Sequence, residues 1–338
     1  MIGRRALLAG ALAFAARPAA AQQYYRAGTK QRQLRFRGSG DVTLSGTLLL
    51  PIASELQKVP GVVLVAGSGP TDRDGNNPLV PVRIDLLKEI AELLANNGIA
   101  SLRYDKRGVA ASANQAPTAL EAQERFFAWD NFVGDAMAAH AEILRHDEIK
   151  AYATALVGHS EGGLLSLAAA AAMGRKAPYA LVLASTPGHT LIDIVRAQVG
   201  RGAPQLAAEA ERVMKTTLET GHVPADTPAE LRLLFPAYGG PFFRGALTFD
   251  PAQALGMTGA ACLLLHGGAD AQIRPMADIQ PLIDVLSRRD KPGEVLVAPG
   301  VSHCLKAVAG PSDPGFAGPL APAIADKLAG WLRQVLGA

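Results

Sequence analysis

The stretch Ala155-Leu156-Val157-Gly158-His159-Ser160-Glu161-Gly162-Gly163-Leu164-Leu165-Ser166-Leu167-Ala168 decides how this chain is read. An apolar run of strand character ends in a Gly-x-Ser-x-Gly frame and passes at once into small and apolar helix formers. A strand, a sharp turn and a helix in that order project a serine hydroxyl from a strained backbone. Positions two before and two after the serine crowd the turn, so glycine at 158 and 162 is what avoids a clash. The N–H of Glu161, at the helix start, then faces the space where an oxyanion would form. The frame alone also occurs by chance in glycine-rich connections, so the reading depends on partners elsewhere in the chain.

The surroundings suit a large enzyme-sized body. The chain has 338 residues, 49% hydrophobic and 19% charged, enough to bury a sizeable core. Seven histidines, two cysteines and a near balance of 33 basic against 30 acidic residues speak against a metal cluster, a disulfide scaffold or a nucleic-acid binder. Residues 1–21 read as an export signal: Arg4-Arg5, an apolar run over 6–16 too short to span a bilayer, then Ala19-Ala20-Ala21 before Gln22. The paired arginines suit twin-arginine export and leave the general secretory route open. No cysteine near the cleavage point offers a lipid anchor, so a periplasmic or secreted protein is expected. Removing 1–21 takes away Arg4, Arg5 and Arg17 and no acid, leaving 30 basic and 30 acidic residues. The precursor's basic pI of about 8.9 therefore names no partner.

On either side of the serine, strands and helices alternate. Residues 34–37 and 42–50 read as a hairpin, and 61–66 as a buried parallel strand that breaks into the polar loop 67–77. Ile84, Leu87, Ile90, Leu93 and Leu94 keep helical spacing up to Asn96-Asn97-Gly98. A strand at 99–104 ends in Asp105-Lys106-Arg107-Gly108, and one long helix is expected over about 122–144. A strand at 180–184 follows the serine helix. Residues 189–251 then lose the strand rhythm and read as a helical cap, with helices at 191–199 and 206–220 and an aromatic passage of Phe235, Tyr238, Phe242, Phe243 and Phe249. These aromatics suit an apolar substrate pocket or packing of the cap onto the body. Strands at 261–266 and 294–298 and helices at 276–286 and 321–336 resume the pattern. The fold class is α/β, a doubly wound, mostly parallel sheet, with core segments 22–188 and 252–338.

Chemistry in open α/β sheets gathers at the carboxyl ends of strands. The order expected after such a serine is an acid, then a histidine. After the 261–266 strand the first carboxylate is Asp270, and the one histidine beyond Asp270 is His303. An imidazole must take the proton that a serine hydroxyl holds too tightly, and a carboxylate must fix the ring's tautomer. Ser160, Asp270 and His303 are therefore the expected catalytic residues. Next to the serine, His159 cannot easily turn back onto it. His266 reads as packing, His189 and His222 as cap residues at the surface or lining the pocket, and His140 and His146 as helix residues. The second oxyanion donor is expected from the loop after the 61–66 strand, at the N–H of Ser68. Gly67-x-Gly69 lacks the third glycine of a dinucleotide fingerprint, since Asp72 stands there. Asp72, Asp74 and Asn76 alternate like the start of a calcium loop, but the downstream glycine and glutamate spacing is wrong. Cys262 and Cys304 fall at opposite ends of neighbouring strands and are expected to be free thiols.

The elbow Gly158-His159-Ser160-Glu161-Gly162, followed by Asp270 and His303, resembles the α/β-hydrolase superfamily. Gly67-Ser68-Gly69-Pro70-Thr71-Asp72-Arg73-Asp74-Gly75-Asn76, Arg103-Tyr104-Asp105-Lys106-Arg107-Gly108 and Pro187-Gly188-His189 are similar to a bacterial esterase group related to the serine aminopeptidases. From about Leu34 onward the resemblance implies the α/β-hydrolase fold, an eight-stranded, mostly parallel sheet with a cap after the sixth strand. It also implies ester or amide hydrolysis without a cofactor or metal. Where many relatives carry His-Gly before the oxyanion loop, this chain has Ala66-Gly67. The expected activity is that of a secreted serine carboxylesterase acting through an acyl-enzyme on a small acyl ester, with a peptide as the other substrate class, and with no nucleic acid and no membrane anchor after processing. A peptidase or aminopeptidase using the same triad, and a non-catalytic binding protein on a hydrolase scaffold, are the alternatives.

Overall fold

The computed structural model describes residues 28–310 and 312–338, and the export signal read at 1–21 lies outside the described residues. The chain opens with β1 (Thr29–Arg37), β2 (Thr43–Pro51), β3 (Val59–Val65), α1 (Leu86–Asn96), β4 (Ala100–Tyr104), α2 (Leu120–Phe126) and α3 (Trp129–Ile143). Next come β5 (Ile149–His159), α4 (Glu161–Met173) and β6 (Ala180–Ala184). Four helices precede the next strand: α5 (Leu191–Gly202), α6 (Ala207–Thr220), α7 (Gly240–Ala246) and α8 (Pro251–Met257). The chain closes with β7 (Ala261–Gly267), α9 (Gln280–Arg288), β8 (Gly293–Ala298) and α10 (Pro322–Leu336).

One eight-stranded sheet runs β1-β2-β4-β3-β5-β6-β7-β8. Only β2 runs against its neighbours, and β4 to β8 pair in parallel through β3. Every residue of β3, β4, β6 and β7 is buried, as parallel strands covered on both faces are, although β4 carries Ser101 and Arg103 and β7 carries His266. The pleat divides them: Val62 and Leu64 of β3 pack with Leu87, Ile90 and Leu94 of α1, while Val63 and Val65 pack on the opposite side with α3 and α4. Each such side chain contributes about 1.5–3 kcal/mol by leaving water. From β3 the chain steps to β4 on one side and later to β5 on the other. The loops leaving β3 and β5 thus lie side by side at the carboxyl edge of the sheet, where such folds open a crevice.

Two expected helices differ. The helix read over 122–144 is two, α2 and α3, because Phe127 and Ala128 leave helical geometry and turn Phe127 and Trp129 toward the residues inserted after β6. The helix read from 276 starts at Gln280: Met276 sits at φ 65°, and Pro281 fits only a first turn. The insertion has its own apolar centre of Val195, Val213, Met214, Phe235, Phe243 and Leu247. Its aromatics pack it onto the body. Trp129 meets Phe242 and Phe249 with ring centroids 5.5 and 5.6 Å apart, and Phe127 meets Tyr238 at 4.8 Å. Cys262 and Cys304 are buried free thiols, and burial pushes their pKa values up to about 12 and about 11.

A buried ion pair anchors the turn after β4. Arg107 meets Asp135 of α3 through two bonds of 2.8 Å, and both side chains are 1% exposed. The remaining guanidinium hydrogens reach the carbonyls of Phe126 and Ser39, and the charge stacks between Phe126 and Phe132. Removing one partner of such a pair strands the other charge in a dry site. Asp135→Ala is therefore expected to destabilise the fold by about 3 kcal/mol or more, read as a lower midpoint in urea unfolding.

Candidate active site

Ser160, between the end of β5 and the start of α4, sits at φ 54°, ψ −121°, a conformation that costs a non-glycine residue about 1–3 kcal/mol. The elbow holds that strain through its neighbours. A Cβ on Gly158 would stand 2.2 Å from the carbonyl oxygen of Gly162, and one on Gly162 would stand 2.2 Å from that of Val65. Ser160 N–H donates to the Ala184 carbonyl at 2.8 Å, and Gly163 N–H caps back onto the Ser160 carbonyl at 2.9 Å. The hydroxyl-bearing residue is thus fixed between β6 and the start of α4.

Asp270 and His303 meet. Asp270 Oδ2 accepts from His303 Nδ1 at 2.8 Å, while Asp270 Oδ1 accepts the N–H groups of Gln272 and Ile273 at 2.8 and 2.9 Å. Both side chains are nearly sealed, at 0% exposure for Asp270 and 8% for His303. A carboxylate only accepts, so Nδ1 carries the proton and Nε2 of the neutral ring is left with its lone pair.

Sequence reasoning did not foresee how His303 is held beside the elbow. Its carbonyl accepts from His159 Nε2 at 2.9 Å and from the Ser185 hydroxyl at 2.9 Å. The His159 and His303 rings lie 4.9 Å apart. His159 thus does not turn onto Ser160, as expected, but it ties the residue before the nucleophile to the backbone of the histidine. The protein packed around His159, and then His303, hold its pKa down to about 3, so it stays a neutral Nε2–H donor. His266 is fully buried with neither ring nitrogen hydrogen-bonded, and burial lowers its pKa to about 4.

The loop after β3 lies over the elbow. A Cβ on Gly67 would stand 3.1 Å from His159 Nδ1 and 3.4 Å from Ser160 Cβ. The loop's acids are internally engaged. Asp72 Oδ1 accepts from the N–H groups of Asp74 and Asn76, Arg103 donates to Asp74, and Asn76 Oδ1 accepts from Ile84 and Asp85 N–H. Asp105, at the end of β4, accepts from the backbone and guanidinium of Arg73 at 2.8 and 2.6 Å, fastening the loop to the sheet.

Lys106 is a second feature that the sequence reading passed over. It is 3% exposed, and its ammonium donates to the Gly67 carbonyl at 2.5 Å and pairs with Glu161 Oε1 at 3.6 Å. Burial lowers its pKa and Glu161 opposes that shift. Its signal was visible as three ionisable residues directly behind a fully buried strand. In the segment between β6 and β7, His222 Nδ1 meets Glu124 at 2.8 Å and His189 reaches the Ala277 carbonyl at 3.2 Å, both near the surface.

A single β2 strand reversed in an otherwise parallel eight-stranded sheet, with a serine elbow after β5 and an acid and a histidine after β7 and β8, is the architecture of the α/β-hydrolase fold. The comparisons agree: a family model described as serine aminopeptidase, S33, matches residues 83–232, a span that holds Ser160 and stops before Asp270. Over 276 residues the chain is 29% identical to the esterase EstD of Thermotoga maritima, spanning 80% of this chain and 60% of the length of that relative. Among solved structures, Est1E of Butyrivibrio proteoclasticus superposes with a TM-score of 0.57 at 16% identity, over 90% of this chain and 99% of the other. A puromycin-hydrolysing peptidase of Mycobacterium tuberculosis superposes with a TM-score of 0.58 at 19% identity, over 91% of this chain and 40% of the other. The chain has the α/β-hydrolase fold and is similar in sequence to the serine aminopeptidase family model and to the esterase EstD.

Proposed function

We propose that this chain is an exported serine carboxylesterase whose nucleophile is Ser160, with His303 as general base and acid and Asp270 as its orienting carboxylate. The observation that carries this reading is the 2.8 Å bond between Asp270 and His303 Nδ1, on a histidine whose carbonyl is pinned to the residue preceding the strained serine. Export rests on the pattern of residues 1–21.

In this mechanism Ser160 Oγ attacks the acyl carbonyl carbon while His303 Nε2 takes its proton. The carbonyl oxygen becomes an oxyanion that the N–H groups of Glu161 and Ser68 receive. The intermediate collapses as the C–O bond to the alcohol breaks, and His303 returns the proton to the leaving oxygen. Water then gives a proton to His303 as its oxygen bonds to the acyl carbon, the bond from that carbon to Ser160 Oγ breaks to release the carboxylic acid, and His303 returns the proton to Oγ. Every proton and electron pair is accounted for by serine, histidine and water.

The match to a model described as serine aminopeptidase favours a second reading, a peptidase using the same residues. A peptide's free amino end calls for an uncommitted carboxylate near the nucleophile. Glu161, the acid next to Ser160, is instead engaged by Lys106, which supports the ester reading. A short-chain activated ester is expected to give a stoichiometric burst before steady turnover, and amino-acid anilides are expected to turn over far more slowly. Anilides cleaved faster than esters would establish the peptidase. No burst, together with no labelling of Ser160 by a fluorophosphonate, would leave a binding protein on a hydrolase scaffold.

A further inference from the structure

We infer that Lys106 is a positioning residue for the oxyanion hole, holding both of its backbone donors at once; this rests on the serine-hydrolase reading above. The Gly67 carbonyl that Lys106 grips belongs to the same peptide unit as the Ser68 N–H. Among the described residues all peptide bonds are trans, so the carbonyl and the N–H of that unit point in opposite directions. Binding the carbonyl from the sheet side turns the Ser68 N–H away from Lys106. Gly67 is buried and Ser68 is exposed, so the peptide plane separates the packed interior from the open side of the crevice. The same ammonium pairs with Glu161, the residue whose backbone N–H is the other donor.

A buried ammonium is a poor choice for packing alone. Its desolvation is expensive, and an apolar side chain of similar size fills such a space as well or better. A cation does two things that an apolar side chain does not. It fixes the direction of a carbonyl, and by drawing electron density toward the oxygen it makes the N–H of that peptide a stronger donor. Oxyanion stabilisation depends on donors aimed before the reaction begins, so the lysine's effect belongs to the transition state rather than to substrate binding.

The test compares Lys106→Met, close in length and uncharged, with Lys106→Arg, which keeps a charged donor. Each is checked first for folding by circular dichroism and then assayed with an activated short-chain ester and an alkyl boronic acid, whose tetrahedral adduct on serine places an oxygen in the oxyanion site. For Lys106→Met, kcat is expected to fall roughly 10- to 100-fold, less than for outright removal of an oxyanion donor, with KM changed less than about threefold. The inhibition constant for the boronic acid should rise by the same factor as kcat falls. The acid limb of the pH–rate profile should stay in place, because His303 is untouched. Lys106→Arg should retain more of kcat than Lys106→Met; if the methionine variant does not fold, Lys106→Arg is compared with wild type, and a kcat loss not matched by an equal loss of boronic-acid affinity, or no loss of either, overturns the inference. Equal kcat in Lys106→Met and wild type, a loss carried by KM, or a kcat loss with unchanged boronic-acid affinity would each overturn the inference. If Ser160→Ala is inactive while Lys106→Met is fully active, only this inference fails. If Ser160→Ala is active, the serine-hydrolase reading fails with it.

Discussion

Ser160→Ala is expected to lower kcat/KM for an activated ester by on the order of a millionfold, with the fold intact. Removal of the hydroxyl takes away the atom proposed to form the acyl-enzyme, and the burst should disappear with the turnover. A small residue of activity survives such a change in serine hydrolases, because oxyanion donors and substrate positioning still act on water. Retention of more than roughly a thousandth of wild-type activity would therefore show that another group carries the reaction. Alanine also loses no packing here: Ser160 is held by its backbone N–H and carbonyl, so thermal unfolding should hardly move. Asp270→Asn probes the same chemistry from its far end. The substituted side chain would offer Nδ1 of His303 a neutral amide rather than a charge, and its NH₂ group can hold the ring in the wrong tautomer. About 10⁴-fold should be lost in kcat with geometry preserved.

How much of this was legible beforehand depends on the distance over which each feature is determined. β6 and the elbow were readable because a continuous apolar run and a glycine frame are local signals. The pairing of Asp270 with His303 was readable because chain order and strand ends restrict the choice to one acid and one histidine. β1 was read short, at 34–37, because Thr29 to Gln33 are polar. They extend as a strand only through their register with β2, which runs back to Pro51. The break between α2 and α3 was hidden for a similar reason, since the aromatic partners of Phe127 and Trp129 lie more than a hundred residues later in the insertion. Lys106 was visible as a charged residue behind a buried strand. Its partners, Gly67 and Glu161, come from the loop after β3 and from α4, and converge on it only at the topological switch of the sheet. The same applies to the clasp of His159 and Ser185 on His303, which joins three strand ends.

Stability is expected to fall steeply as pH drops from 6.5 toward 5, and buried histidines are the cause. His140 and His266 are 4% and 0% exposed, and burial lowers the pKa of each to about 4. In the unfolded chain both titrate near the ordinary value of about 6.5. Between those values the unfolded state binds protons that the folded state refuses, so lower pH favours unfolding, and the effect vanishes above the unfolded value. Two such groups give a slope of roughly 3 kcal/mol per pH unit, or about 4 kcal/mol lost at pH 5, against a total stability of about 5–15 kcal/mol for an ordinary domain. His159 acts in the same direction with its pKa near 3, although it keeps some access to water. Asp72, Glu89 and Asp135 act against them, since burial raises each above its ordinary carboxylate value and the folded state then gains stability by taking up protons as pH falls. Glu89 and Asp135 are paired with Lys306 and Arg107, which oppose that rise without cancelling it. Urea unfolding between pH 7.5 and 5 measures the slope. His140→Gln isolates one contributor well away from Ser160: it keeps a polar partner for Thr154, which His140 Nε2 meets at 2.9 Å, and it has no proton to gain. Its slope should be shallower by about 1.4 kcal/mol per pH unit. A stability that stays flat over this window would mean that the buried imidazoles are protonated in place, and the dry environments assigned to His140 and His266 would be wrong.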